Sequence, residues 1–106
     1  MTARLSIRRG SIYLSAEACD TYFRGLDAVI VLIRNDALHV LPVQQMTAGG
    51  HLLKMRNAKG DRVVSAPDVF LEYGLADWES DDLAAHWSAD HGALVCTLPK
   101  MQTKFA

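Results

Sequence analysis

Polar and apolar side chains alternate from Arg4 to Ile7, and Gly10 ends the run. A two-residue period is that of a strand with one face buried. Ser11 to Leu14 (SIYL) is again β-prone, so the two segments are expected to form a hairpin turning at Arg8-Arg9-Gly10. Ser15 follows as a helix N-cap, Ala16 to Phe23 reads as a two-turn helix, and Gly25 ends it. Ala28 to Ile33 (AVIVLI) is too rich in β-branched residues for a comfortable helix and reads as a strand. Asn35-Asp36 supplies a turn, and Ala37 to Val43 returns as a second strand. Pro42 restricts the end of that strand to an edge or terminus.

After Gln44 to Gly50, a polar stretch of small residues, the pattern begins again. His51 to Arg56 is strand-like, residues 57–61 form a turn around Gly60, and Arg62 to Val64 is a short strand. Ser65 reads as a second N-cap with Asp68 three residues on, Pro67 fits the first helical turn, and Gly74 closes the helix after Tyr73. Ala76 to Asp82 reads as an acidic loop, Leu83 to Trp87 is ambiguous, and Ala93 to Leu98 is a strand stopped by Pro99.

The two halves share one plan. Gly10 and Gly60 are 50 positions apart, as are Ser15-Ala16 and Ser65-Ala66, and with one gap Gly25-Leu26 falls on Gly74-Leu75. Identity over Arg4 to Phe23 is three positions in twenty, so ordinary β-α-β patterning is an alternative source of the likeness. A unit of two short hairpins and one helix is too small to bury its own core, whereas two such units can close on each other. The expected fold is α+β and mainly β. It is a small pseudo-two-fold barrel or sandwich, one domain over residues 1–106, made of β-hairpin–helix–β-hairpin halves at 4–43 and 51–99.

The run from Lys59 to Leu75 (KGDRVVSAPDVFLEYGL) resembles the AbrB-like family of bacterial transition-state regulators and antitoxins. It matches that family's turn with Gly, short strand, Pro-started helix and closing Gly-Leu. Phe70 stands where the family's helix carries an arginine. The resemblance implies a swapped-hairpin β-barrel, and two units in one chain are similar to the MraZ type. It also implies contact with double-stranded DNA through the basic hairpins, by Arg8, Arg9, Arg56, Lys59 and Arg62.

Charge bears on that expectation. Lys plus Arg is 11 and Asp plus Glu is 12, a net charge of -1, with half of the residues hydrophobic. These values exclude a uniformly basic nucleic-acid coat and a disordered chain. Yet the charge is segregated. Lys54 to Arg62 holds four bases and one acid, while Val63 to Pro99 holds seven acids and no Lys or Arg. If both basic hairpins lie on one side, that side can neutralise phosphates. The acidic stretch would repel DNA, and would face either a basic protein partner or the protein's own basic hairpins. Trp78, Asp81 and Asp82 are the candidate partner-binding residues, with Trp78 read first as packing its loop onto the core.

Catalytic and metal chemistry find little support. His86, Asp90, His91 and Cys96 lack the compact paired spacing of a zinc site, and His39 is expected to point outward between Leu38 and Val40. Cys19 near a helix N-terminus has no histidine implied beside it. Two cysteines in so small a chain suit buried cytosolic thiols. No run approaches the roughly 20 apolar residues of a membrane span, and Met1 to Gly10 lacks the apolar core of a signal peptide. The expectation is therefore a cytoplasmic, non-enzymatic protein without cofactor, metal or membrane contact, either monomeric or homodimeric. It binds DNA or, as the alternative, docks a protein through residues 76–82. The seven residues after Pro99 are too few for an antitoxin's toxin-binding tail.

Overall fold

The computed structural model describes residues 2–44 and 49–99. Eight strands and two short helices follow in the order β1 (Thr2–Arg8), β2 (Ser11–Leu14), α1 (Ala16–Tyr22), β3 (Ala28–Arg34), β4 (Ala37–Val43), β5 (His51–Met55), β6 (Arg62–Ser65), α2 (Pro67–Glu72), β7 (Glu79–Ser88) and β8 (Ala93–Thr97). All neighbours pair antiparallel, and the sheet closes as a barrel in the order β1-β2-β6-β5-β3-β4-β8-β7. Closure removes the free edges along which a sheet would otherwise pair with another chain. The barrel form of the expected mainly-β fold is the one adopted, rather than the sandwich.

The first hairpin turn is one residue tighter than the sequence suggests, and the turn at Asn35-Asp36 forms as expected. Arg8 pairs with Ser11 and Arg34 with Ala37, leaving two-residue loops at Arg9-Gly10 and Asn35-Asp36. All four of these residues have positive φ, the geometry that matches the twist of the flanking strands. The alternating apolar positions face inward, so that Leu5, Ile7, Ile12, Leu14, Val64 and Leu38 lie in one buried cluster with Phe23 and Phe70 of the helical segments. The two phenylalanines plug the barrel, each at most 2% exposed.

The hairpin tips dock crosswise onto the helices. Gly10 packs against Pro67 so closely that an added Cβ would sit 2.7 Å from the Pro67 Cα, and the Gly10 carbonyl accepts the Ala66 N–H at 2.8 Å. At the other tip the Asp61 carboxylate accepts the Ala16 N–H at 2.7 Å, and Gly60 lies against the Ala16 Cβ. The expected cap at Ser15 forms, with its Oγ accepting from the Ala18 N–H at 3.1 Å. The expected cap at Ser65 does not form. Ser65 is the last residue of β6, held opposite Ser11, and the N-cap of α2 is Ala66, which has no side chain to cap with.

A second correction concerns the acidic stretch. Glu79 to Asp82 is not loop but the start of the ten-residue β7, which also absorbs Leu83 to Trp87. Leu5 pairs with Leu83 and Ile7 with Ser80, so Asp81 and Asp82 together oppose Ser6 in a β-bulge. Asp82 takes φ +58 there, and its N–H donates to Ser6 Oγ at 3.1 Å. Trp87 opposes buried Leu94 at the end of β7 and stacks on Tyr22 of α1 at 5.4 Å while staying exposed on its other side. The candidate boundary at Gln44 to Gly50 falls largely outside the described residues, and Lys100 to Ala106 falls wholly outside them. Among the described residues no helix is long and apolar enough to cross a membrane.

Candidate functional site

Alternation on β1 puts Leu5 and Ile7 in the core and Arg4, Ser6 and Arg8 on the outer face. The registers continue that face across three more strands, with Ser6 opposite Tyr13, Tyr13 opposite Val63, and Val63 opposite Lys54. Two arginines from different hairpins converge on Tyr13. The Arg56 guanidinium lies 4.9 Å from the ring centroid and that of Arg8 5.9 Å, within the range of cation–π attraction.

The acids of β7 lie against the same face. Arg8 donates twice to Asp81 Oδ1, at 3.1 and 3.2 Å. Arg9 meets Glu79 at 3.2 Å, and Arg4 reaches Asp82 through its carbonyl at 3.1 Å and its carboxylate at 3.8 Å. The bulge makes this possible, because it presents two successive aspartates outward, one to each of two arginines four residues apart. The acidic stretch thus faces the protein's own first basic hairpin. All six side chains are at least half exposed, so each pair contributes no more than about 1 kcal/mol. Their larger effect is to cancel the field of the first hairpin.

The two basic hairpins do not present their tips on one side. β2 and β6 are antiparallel, with Ser11 beside Ser65 and Leu14 beside Arg62, so the two tips sit at opposite ends of that pair. Arg62 is also not on the outer face. It opposes inward-pointing Leu14, and its Nη1 donates to the Leu53 carbonyl at 2.9 Å. Of the five basic candidates, Arg8 and Arg9 are matched by acids and Arg62 is tied to the backbone. Arg56 and Lys59, with their neighbour Lys54, have no acid within ion-pair distance among the described residues. Asp61 beside them is occupied otherwise. The Asn57 amide and the Ala16 N–H hold its carboxyl below the usual aspartate range.

Trp78 is half-buried and packs against the core, and its carbonyl accepts the Arg9 N–H at 3.1 Å. Asp81 and Asp82 are exposed on β7. The remaining candidates do not converge. Cys96 opposes Leu38 inside the barrel, whereas His86 lies on the outer face, so the wall separates them. His39 points to the outer face as expected, yet it is only 6% exposed because His91 covers it edge-on at 5.1 Å. Burial, and then His91, pushes His39 below the usual histidine range. Burial likewise pushes both thiols, Cys19 and Cys96, up to about 11, which leaves neither a thiolate at neutral pH.

Tyr13 and Ser6 are the members of this face that sequence reading missed. Their outward position was readable from strand alternation, but the strands beside them were not. Comparison with known protein families, curated proteins and solved structures gives no match.

Proposed function

We propose that the chain is a non-enzymatic binding module of AbrB-like plan that contacts duplex DNA through its second basic hairpin, β5–β6. The observation that carries this is the unequal neutralisation of the two hairpins. Arg4, Arg8 and Arg9 are matched by β7, while Lys54, Arg56 and Lys59 remain as a local excess of positive charge. The barrel order supports the plan. Exchanging β1–β4 for β5–β8 in the order β1-β2-β6-β5-β3-β4-β8-β7 leaves every neighbour relation unchanged. We read this invariance as support for a tandem duplication of halves 4–43 and 51–99. The side chains have diverged, so one hairpin serves DNA and the other is internally paired.

Titration of a fluorescent duplex at rising salt tests this. Three phosphate contacts give a slope of about -2.7 in log K against log salt, or roughly 500-fold weaker binding over a tenfold salt increase. Arg56→Ala and Lys59→Ala are each expected to flatten the slope by about 1, while Arg9→Ala leaves it nearly unchanged. Absence of duplex binding at low salt removes the reading.

A second reading is docking of a basic protein partner, which would have to displace Arg8 and Arg4 from Asp81 and Asp82. Asp81→Lys with Asp82→Lys is then expected to abolish capture of a partner that the wild-type chain retains. Retention by the double variant rejects it.

A further inference from the structure

Arg8 and Arg56 hold equivalent places in the two hairpins. Arg8 pairs with Ser11 across the first turn, and the Arg56 N–H donates at 2.8 Å to the carbonyl of Asp61, which lies 50 positions after Ser11. Both guanidiniums lie by the ring of Tyr13, so the two hairpins contribute to one outer face. The strands that flank them differ. β5 has β3 (AVIVLIR) beside it, which carries no acid, and the pairing between them covers His51 and Leu52. β1 has β7 beside it from Thr2 to Arg8, and β7 opens with Glu79-Ser80-Asp81-Asp82. The bulge turns both aspartates outward, where they meet Arg8 and Arg4, while Glu79 meets Arg9.

We propose that Glu79, Asp81 and Asp82 decide which hairpin an incoming polyanion touches: they hold the first hairpin's arginines as phosphates would, and so confine the contact to β5–β6. This rests on the reading of β5–β6 as the DNA-contacting hairpin. It adds that β1 is a second contact of the same kind, kept closed by the chain itself. The chemistry is one of substitution, because carboxylate and phosphate offer arginine the same anionic oxygens. Asp81 Oδ1 accepts from both Nε and Nη2 of Arg8, at 3.2 and 3.1 Å, the edge with which a guanidinium grips a phosphate. A phosphate approaching Arg8 also comes within the roughly 10 Å Debye length of Asp81 and Asp82, whose repulsion offsets the attraction. The bulge that presents these carboxylates does not depend on their charge. The Asp82 N–H donates to Ser6 Oγ at 3.1 Å, and the Asp82 carbonyl accepts from Arg4 at 3.1 Å. Asp82 takes φ +58, a conformation that Asn tolerates as Asp does. Neutral isosteres therefore open the first hairpin without dismantling the strand.

Binding of a fluorescent duplex to the full chain at rising salt tests this, with Glu79→Gln, Asp81→Asn and Asp82→Asn combined. The freed Arg4, Arg8 and Arg9 are expected to steepen the slope of log K against log salt by up to about 2.7, the effect of three phosphates. Asp81→Asn alone is expected to steepen it by about 1, which covers a triple variant that fails to fold. Arg8→Ala is expected to flatten the slope by about 1 in the triple variant and to leave it nearly unchanged in the wild-type chain. Asp20→Asn, Glu72→Gln and Asp90→Asn combined make the same change in net charge at exposed acids of α1, α2 and the β7–β8 turn, and are expected to keep the wild-type slope. A wild-type chain that binds with a slope the neutralised variants share overturns the proposal and leaves the β5–β6 reading in place. A control triple that steepens the slope equally also overturns it, since net charge then suffices. Binding by the neutralised triple but not by wild type supports the masking and removes the β5–β6 reading. Absence of binding by every form removes both.

Discussion

His39 is the buried polar side chain with the clearest energetic consequence. It sits on the outer face of β4, opposite Val95, and is shielded by His91. Because the fold holds its pKa below the usual histidine value, the unfolded chain takes up a proton first as the pH falls. Stability should therefore decline on acidification through about pH 6.5, and level off only once the folded state is protonated too. Melting temperatures measured between pH 7.5 and 5 are expected to show this decline, and His39→Gln is expected to reduce it. An identical pH dependence in the variant would assign the effect to other groups. The arginines of β1 follow a different logic. Their partners are exposed and their pairs individually weak, so their role is electrostatic masking rather than stability.

At the scale of elements, the decisive contacts lie where a hairpin tip meets a helix N-terminus. Gly10 and Gly60 occupy matching positions in the two hairpins but meet different neighbours. A Cβ at Gly10, where φ is +84, collides with backbone of Pro67, whereas at Gly60 it presses on a methyl group at 3.3 Å. Gly10→Ala is expected to destabilise by about 2 kcal/mol or more and Gly60→Ala by about 1, the latter mainly from its positive φ. Urea unfolding of both variants checks the order. Equal losses would mean that backbone conformation, not the tip-to-helix contact, limits both sites. The bulge in β7 is the other element-scale device. Without its extra residue Asp81 and Asp82 would alternate between faces, and only one could meet an arginine on the outside.

For the whole molecule, the alternating hairpins put the two ends of each chain connection on strands that flank a common neighbour. Val43 and Leu52 flank Ala28 of β3, while Val95 of β8 and Thr2 of β1 flank His86 of β7. A circular permutant opened between Gly49 and Gly50, with Pro99 joined to Thr2 by about eight flexible residues, is therefore expected to fold to the same barrel. Circular dichroism and a melting temperature within about 10 °C of wild type would bear this out. An unfolded permutant would show that the existing order of connections is itself required. The net charge of -1 also takes on meaning at this scale. Composition sets that total, and the fold sets its distribution, because β7 lies beside β1 and leaves the excess positive charge on β5–β6.

Period-two alternation and turn residues determined most strands within a residue or two, because side-chain direction on a strand depends only on local geometry. Gly10, Gly25, Gly60 and Gly74 marked the hairpin and helix ends correctly, since each takes a positive φ. Ser15 as a cap was legible for the same local reason. Ser65 carried the same signal and misled, because pairing with Ser11 holds it in a strand. The β7 strand was hidden by its acids, whose β propensity is poor. It forms because Leu83 and Ala85 face the core and β1 offers its edge. The candidate site shows the same division. That arginines and aspartates cluster in different parts of the chain is sequence. That they are adjacent strands which neutralise one another, that Arg62 turns to the core side, and that Arg56 lies over Tyr13 are consequences of barrel closure. Closure is a non-local choice of neighbours and register, and no local pattern encodes it.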